Sequence, residues 1–464
     1  MVKDAVSTIN PGNFNRRAER IWTMSSRRDV LKPFEQNRAF MEDRIEHGIE
    51  TGRKGTAWVL LKDGAGNPVP HARVEIRQKN HEFKYGANLF MLEEFQKQEQ
   101  NEKYKKYFAD AFNIATLPFY WDTLEPEQGK PRFAKDSPKI YRRPAPDLCL
   151  EYCEANGIEP KAHCLNYASL MPQWAKGSVT WEKQCLEKRF RELAGRYAGR
   201  IPMWEVTNET YWGYKRLSTL YSQPDFVEWS FALAENYFPA NKLVINEAHS
   251  RIWSNEFFCG TRSPYYMQIE RAMLKGARID AIGMQYHMFY RKENELAETA
   301  VYYDPERIYD VLDTYAMLGK PVHITELTIP AYSNAPEDEE IQAEIIRNIY
   351  SMWFSHAALD GIIYWNLVDG FAAYCEPGDM TAGENYYYGG LIRYDFTPKP
   401  SYQVIRDLFE KEWRTNLKLH TDSGALSFKG FYGQYDLEIT ANGKPTRKTI
   451  HLSKEQNNHF IIKL

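Results

Sequence analysis

Short apolar runs separated by longer amphipathic stretches fill the middle of the chain, from about residue 81 to 412. Eight of these runs read as strands: FKYGANLF, FNIATLPFYW, IEPKAHCLN, PMWEVTNE, KLVINEAH, IDAIGMQYH, PVHITELTI and GIIYWNLV. Helical patterns such as PDLCLEYCEANG and QCLEKRFRELAGRYAG lie between most of them. Strand then helix, repeated eight times, predicts an α/β architecture of the (β/α)₈ barrel type. A doubly wound open sheet is the alternative. No GxGxxG or GxxxxGK[ST] follows any strand, which disfavours its nucleotide-binding version.

The flanks differ from the middle. Residues 1–53 are charged and periodic enough for a helix or two. GTAWVLLKDGAGNPVPHARVEIRQ reads as two strands around a Gly/Pro turn, with Trp58, Leu60 and Leu61 before it and Val74 and Ile76 after it. We therefore expect a β-hairpin segment over 54–80. Residues 413–464 alternate and carry an Asn442-Gly443 hairpin signal, predicting a small C-terminal β-domain. Pairing of the two β-rich ends into one sandwich against the barrel (81–412) is the expected arrangement.

Composition narrows the function. A length of 464 residues allows two or three domains, or one large barrel with appendages. The balance of 59 basic against 62 acidic residues, net −3, argues against a nucleic-acid partner. No uninterrupted apolar run reaches the ~18 residues of a membrane helix. The start, MVKDAVSTINPGNFNRRAER, lacks the apolar centre of a secretion signal. Cysteines at 149, 153, 164, 185, 259 and 375 show no metal-type spacing, so buried free thiols are expected, with no disulfide framework and no zinc site. Aromatics stand out: Trp, Tyr and Phe make up 14% of the chain, as in proteins that stack on ring-shaped ligands.

A barrel keeps its active groups at the C-terminal ends of its strands. Those ends carry Asn88, Tyr120, Trp121, His163, Asn166, Asn208, Glu209, Asn246, Glu247, Gln285, His287, Glu326, Trp365 and Asp369. Carboxylates are few among them. A retaining glycosidase needs two, about 5 Å apart, one to protonate the leaving oxygen and one to attack the sugar carbon. The fourth and seventh strands lie close to opposite on such a ring, which favours Glu209 with Glu326 over a pair from adjacent strands. Asn208-Glu209 and Asn246-Glu247 compete for the acid/base role. The first has the better setting, WEVTNETYWGY, where aromatics follow at once.

These segments resemble glycoside hydrolase family 10, the endo-β-1,4-xylanase family. WEVTNE is similar to the family's WDVVNE, VHITELTI to ITELDI, AIGMQYH to IGxQxH, and AHCLNYASLMPQW to GHTLVWHSQLPQW. FNIATLPFYWDTLEPEQG is similar to FNxxTPENEMKWDAIEPxxG, and GGLIRYDFTPKPSYQVI to LFDxxYxPKPAY. The matches keep family order from about 83 to 410. The resemblance implies Glu209 as acid/base, Glu326 as nucleophile, Asn208 on the sugar 2-hydroxyl, and His287 bonded to the nucleophile. It implies Trp365 as the floor of the sugar site, with His163, Tyr167 and Gln285 also contacting substrate, and it removes Glu247 from the catalytic roles. On those roles Glu209 should hold its proton above the usual carboxylate range, while Glu326 should be ionised.

Departures from the family cluster on substrate contacts. The segment ENEMKW is replaced by the shorter Leu117–Trp121 stretch, without its Asn and Lys. Ala168 and Leu170 replace a His and a Gln, Thr328 replaces the Asp after the nucleophile, and 369–373 lack a second Trp. The insertion AKDSPKIYRR adds Lys135, Lys139, Arg142 and Arg143, and either arginine is a candidate for a uronate carboxylate. The resemblance thus implies a retaining β-glycosidase acting by double displacement on xylan or a related plant β-glycan. A family-10-like enzyme with another glycone (decorated, uronate-bearing or non-xylose, and exo-acting) is one alternative, and a non-catalytic carbohydrate-binding barrel another. Neither metal nor organic cofactor is expected. The expected partner is a polysaccharide or oligosaccharide, with no nucleic acid and no membrane, and the chain is expected to be a monomer. The substrate class favours a secreted or periplasmic location.

Overall fold

The computed structural model describes residues 26–211, 218–249, 252–253 and 260–464. The opening segment read for a secretion signal lies outside them, as do Cys259 and the aromatics Trp212 and Tyr214 that follow Glu209. Eight parallel strands close a barrel: β3 (Lys84–Asn88), β4 (Ile114–Pro118), β5 (Glu159–His163), β6 (Met203–Asn208), β7 (Lys242–Glu247), β8 (Ala281–His287), β9 (Val322–Thr328) and β10 (Leu359–Tyr364). They pair in chain order, and β10 returns to β3 with Tyr364 opposite Ala87. All eight correspond to the apolar runs of the sequence. Every residue of β6 and β9 is buried, as expected of parallel strands covered on both faces.

Helices fill the intervals. Pro146 opens the helix Pro146–Asn156 at a position where its missing N–H costs nothing, and Gly157, at φ +65°, closes it by donating to the Cys153 carbonyl. Cys149 and Cys153 are buried inside this helix's core face, and all five described cysteines are unpaired thiols. Ser178 caps the helix Val179–Tyr197 by accepting from the Trp181 N–H. No helix among the described residues is long and apolar enough to cross a membrane.

Two further sheets come from the chain ends. β1 (Lys54–Lys62) lies between β12 (Ala425–Phe431) and β15 (His459–Lys463). The second sheet runs β11 (Asn416–Thr421), β2 (Ala72–His81), β13 (Gly433–Ala441), β14 (Lys444–Leu452). The 54–80 segment therefore forms its two strands but not a hairpin, because β1 and β2 part into different sheets. The reason lies in the side-chain period of two. β1 turns Ala57, Val59 and Leu61 inward and β2 turns Ala72, Val74 and Ile76 inward, so the two faces meet across a shared core with Phe428, Leu437 and Ile439. Trp58 falls on the other face of β1 and is exposed.

Candidate active site

The strand ends gather the titratable groups on one face of the barrel. Glu209 follows β6 at φ +49°, a sharp turn for a residue with a side chain, and its N–H bonds the Asn246 carbonyl at 3.2 Å. Its carboxylate accepts from Tyr167 Oη at 2.8 Å and from Gln285 Nε2 at 2.8 Å. Glu326 comes from the middle of β9's last turn of side chains and is 4% exposed. It accepts from Gln285 Nε2 at 3.1 Å and Asn246 Nδ2 at 3.2 Å, while its other oxygen faces His287 Nε2 at 3.2 Å. One amide nitrogen thus bridges the two carboxylates. The bonded oxygens lie within about 6 Å of each other by that triangle, in keeping with the 5–5.5 Å separation of retaining enzymes.

Asn246 is the hub beneath. It donates also to Asn208 Oδ1 at 2.8 Å and accepts from Thr325 Oγ1 at 2.5 Å. Asn208 keeps its amide NH₂ without a partner among the described residues. Gly283 on β8 makes room for this hub, since a Cβ there would stand 2.5 Å from Asn246 Oδ1. Trp365 continues β10, its ring 5.9 Å from those of His287 and His163 and 5.4 Å from Phe90. The aromatic wall runs on through Tyr120, 5.1 Å from His163 and 6.3 Å from Tyr167.

Electrostatics divide the buried acids. Burial pushes the Glu326 carboxyl up to about 8; the His163 charge opposes this and Glu209 reinforces it. That direction runs against the ionised Glu326 expected from its role, since burial favours its neutral form. Burial lowers His287 to about 4, so its imidazole is neutral. Thr328 Oγ1 lies 3.0 Å from His287 Nδ1. A hydroxyl can donate to Nδ1 and leave Nε2–H for Glu326, whereas the carboxylate of the family's Asp would accept only and favour the cation.

Below the mouth, Glu205 bonds both Lys161 Nζ and His163 Nδ1. Burial alone would raise Glu205, but the two cations hold it at about 2. His163 is raised in turn: the cost of burial is outweighed by Glu205. Lys161 and Glu205 were absent from the sequence-derived site. Their signal was present as charged residues inside otherwise buried strands, Lys161 on β5 and Glu205 on β6.

The remaining strand-end residues serve packing. Glu247 accepts from the Thr210 and Ala248 N–H groups at 2.9 and 2.8 Å, and burial with the nearby Glu209 charge lifts it to about 8. Trp121 donates to Glu125, Asn166 to Ser230, and Asp369 pairs with Lys399 at 2.6 Å. Asn88 is buried with its backbone carbonyl bonded by Tyr104 Oη. Among the described residues the His/Asp/Glu/Cys grouping with metal-ligand proximity is His71, His420 and Asp422, all exposed on the outer sheet rather than at the barrel mouth.

A closed parallel barrel with two bridged glutamates at its strand ends defines a (β/α)₈ protein with a two-carboxylate site. Residues 79–408 match the sequence profile of Glycosyl hydrolase family 10, and the chain belongs to that family. It is therefore a glycoside hydrolase of endo-1,4-β-xylanase-like type. Endo-1,4-beta-xylanase B of Thermotoga neapolitana is 27% identical over 67% of this chain and 84% of that protein. Anti-sigma-I factor RsgI6 of Acetivibrio thermocellus is 24% identical over 87% of this chain, which spans about half (47%) of that longer relative. In fold, the chain resembles xylanase 10B of Thermotoga petrophila RKU-1, solved with xylobiose, at a TM-score of 0.56 and 22% identity over 71% of this chain and 95% of that one.

Proposed function

We propose that the protein is a retaining β-glycosidase in which Glu326 is the nucleophile and Glu209 the acid/base. The observation that carries this reading is the Gln285 amide shared by the two carboxylates. In the first step a Glu326 oxygen attacks the anomeric carbon, the glycosidic C–O bond breaks, and Glu209 gives its proton to the departing oxygen. In the second, Glu209 takes a proton from water, whose oxygen displaces Glu326 and restores the free enzyme. Positive charge growing on the sugar ring would favour the ionised form of Glu326 against the pull of burial. The free NH₂ of Asn208 supports a contact to the sugar 2-hydroxyl. Trp365, His163, Tyr167 and His287 would line the sugar that is cleaved from its neighbour.

The substrate class that suits this reading is xylan or a related plant β-glycan, as the Thermotoga relatives' names indicate for those proteins. Residues 81–412 would form the catalytic unit, and 54–80 with 413–464 an accessory one. Glu326→Ala and Glu209→Ala test the proposal on linear xylo-oligosaccharides and glucuronoxylan. Each is expected to lower kcat by at least about 10⁴ while leaving binding measurable. Undiminished turnover in either variant would remove that residue from the mechanism, and binding without turnover in the parent would favour a carbohydrate-binding barrel.

A further inference from the structure

Of the four cations in the 134–143 insertion, Arg142 and Arg143 were the candidates for a ligand, and the structure separates them. Lys135 pairs with Glu151 at 3.0 Å, and Lys139 donates to the Glu93 carbonyl at 2.6 Å. Arg142 is 2% exposed and fastens the insertion to the loop after β10, donating to the Phe371 carbonyl at 2.5 Å and to Asn366 Oδ1 at 2.9 Å. Asn366 in turn donates to Glu384. Arg142 is thus occupied with structure.

Arg143 is not. Its guanidinium lies 4.1 Å from the centre of the Tyr120 ring and 5.7 Å from that of Phe90, the two rings that continue the wall from Trp365 and His163. Its one hydrogen bond goes to the neighbouring Arg142 carbonyl at 2.9 Å. Its Nε–H, like that of Arg142, is buried with no acceptor among the described residues, and no carboxylate among them lies within ion-pair distance. Asp122 raises its pKa only weakly, and that carboxylate has a buried oxygen without a partner among the described residues. A guanidinium fixed on an aromatic face, with unspent donors and Arg142 beside it, is a poor structural element and a good receptor for a planar anion. Its place is one ring beyond His163, against Tyr120 of the 117–121 stretch, where the family's polar contacts are missing.

We propose that Arg143 is a specificity-determining residue that takes the carboxylate of a uronic acid, carried by the sugar one unit beyond the cleaved residue on the glycone side. This inference rests on the glycosidase reading above. The Arg143 fork, held against Tyr120, would bind the carboxylate side-on.

The test uses the full chain and two aryl β-glycosides of one disaccharide, which differ only at C-5 of the non-reducing sugar, neutral in one and a carboxylate in the other. The parent is expected to favour the acidic substrate in kcat/KM. Arg143→Met is expected to lower kcat/KM about 10- to 100-fold more on the acidic than on the neutral one, the size of a lost charge-assisted hydrogen bond. Arg143→Lys, which keeps the charge but not the fork, should fall between them and shows that the loss is not one of folding. Equal losses on both substrates, or a parent that prefers the neutral one, would overturn the proposal while leaving the glycosidase intact. Release of aryl alcohol from neither substrate by the parent would count against the glycosidase reading itself. In that case, calorimetric binding of the same two saccharides to Glu326→Ala, with and without Arg143→Met, still decides on Arg143: an acidic preference lost with the arginine supports it, and equal binding refutes it.

Discussion

Two glutamates of this barrel are buried almost to the same degree and behave in opposite ways. Glu205, inside the barrel on β6, is clamped by Lys161 and His163 and held at about 2. Glu326, at the mouth on β9, meets only two amides and a neutral imidazole, and burial lifts it to about 8. Burial pushes both carboxylates up; what separates them is that Glu205 is hydrogen-bonded by two cations and Glu326 by neutral groups. The interior uses its acid to neutralise cations and stay fixed. The mouth leaves its acid without a directly bonded cation, which in the proposed mechanism a cationic transition state would supply.

The largest effect should come from breaking the clamp. Glu205→Gln or Lys161→Met leaves an unpaired charge in the barrel and is expected to cost about 3–5 kcal/mol in chemical denaturation. A cost below about 1 kcal/mol would mean that the clamp is dispensable. Changing both residues together should cost less than the sum of the single changes, because no lone charge is left behind.

The pH dependence of stability separates the two glutamates further. Glu205 is depressed in the fold, so its contribution is present above its unfolded value near 4.5 and is lost as pH falls toward about 2. Glu326 is raised, so its contribution is present below about 4.5 and is lost as pH rises through about 8. Glu326→Gln should therefore lower the slope between those two pH values without touching the acid side, leaving the share that comes from Glu247, which is raised as far. An unchanged slope there would place the raised carboxyl elsewhere, with Glu247 the next candidate.

A smaller change should sharpen the contrast by making the mouth resemble the interior. Thr328→Asp gives His287 an anionic partner, which favours the imidazolium and, through it, the ionised form of Glu326. The acidic limb of the kcat/KM profile is expected to move to lower pH by about 1 unit. A limb that stays in place, or moves up, would show that Thr328 does not govern this histidine. Least affected should be Trp58→Ser on the exposed face of β1, within about 0.5 kcal/mol in stability.

The alternation of apolar runs and amphipathic stretches was enough to determine the barrel, all eight of its strands, and which ends carry polar groups. Strand order follows almost automatically, because right-handed strand–helix–strand units can close a parallel sheet in few ways. The strand-end carboxylates Glu209, Glu247 and Glu326 were legible as positions for the same reason, but the choice among them came from the family resemblance rather than from the pattern. The division of β1 and β2 between two sheets was not legible, since local alternation specifies which face is buried but not which strand lies alongside. Nor was the clamp of Lys161, Glu205 and His163, whose members are separated in sequence and meet only across adjacent barrel strands. Above all, Arg142 and Arg143 are neighbours of one residue type, and nothing local distinguishes them. Only the packing of the insertion against the loop after β10 ties one to the Phe371 carbonyl and Asn366 and leaves the other over the Tyr120 ring, because side-chain environment is set by long-range contacts that a one-dimensional pattern does not encode.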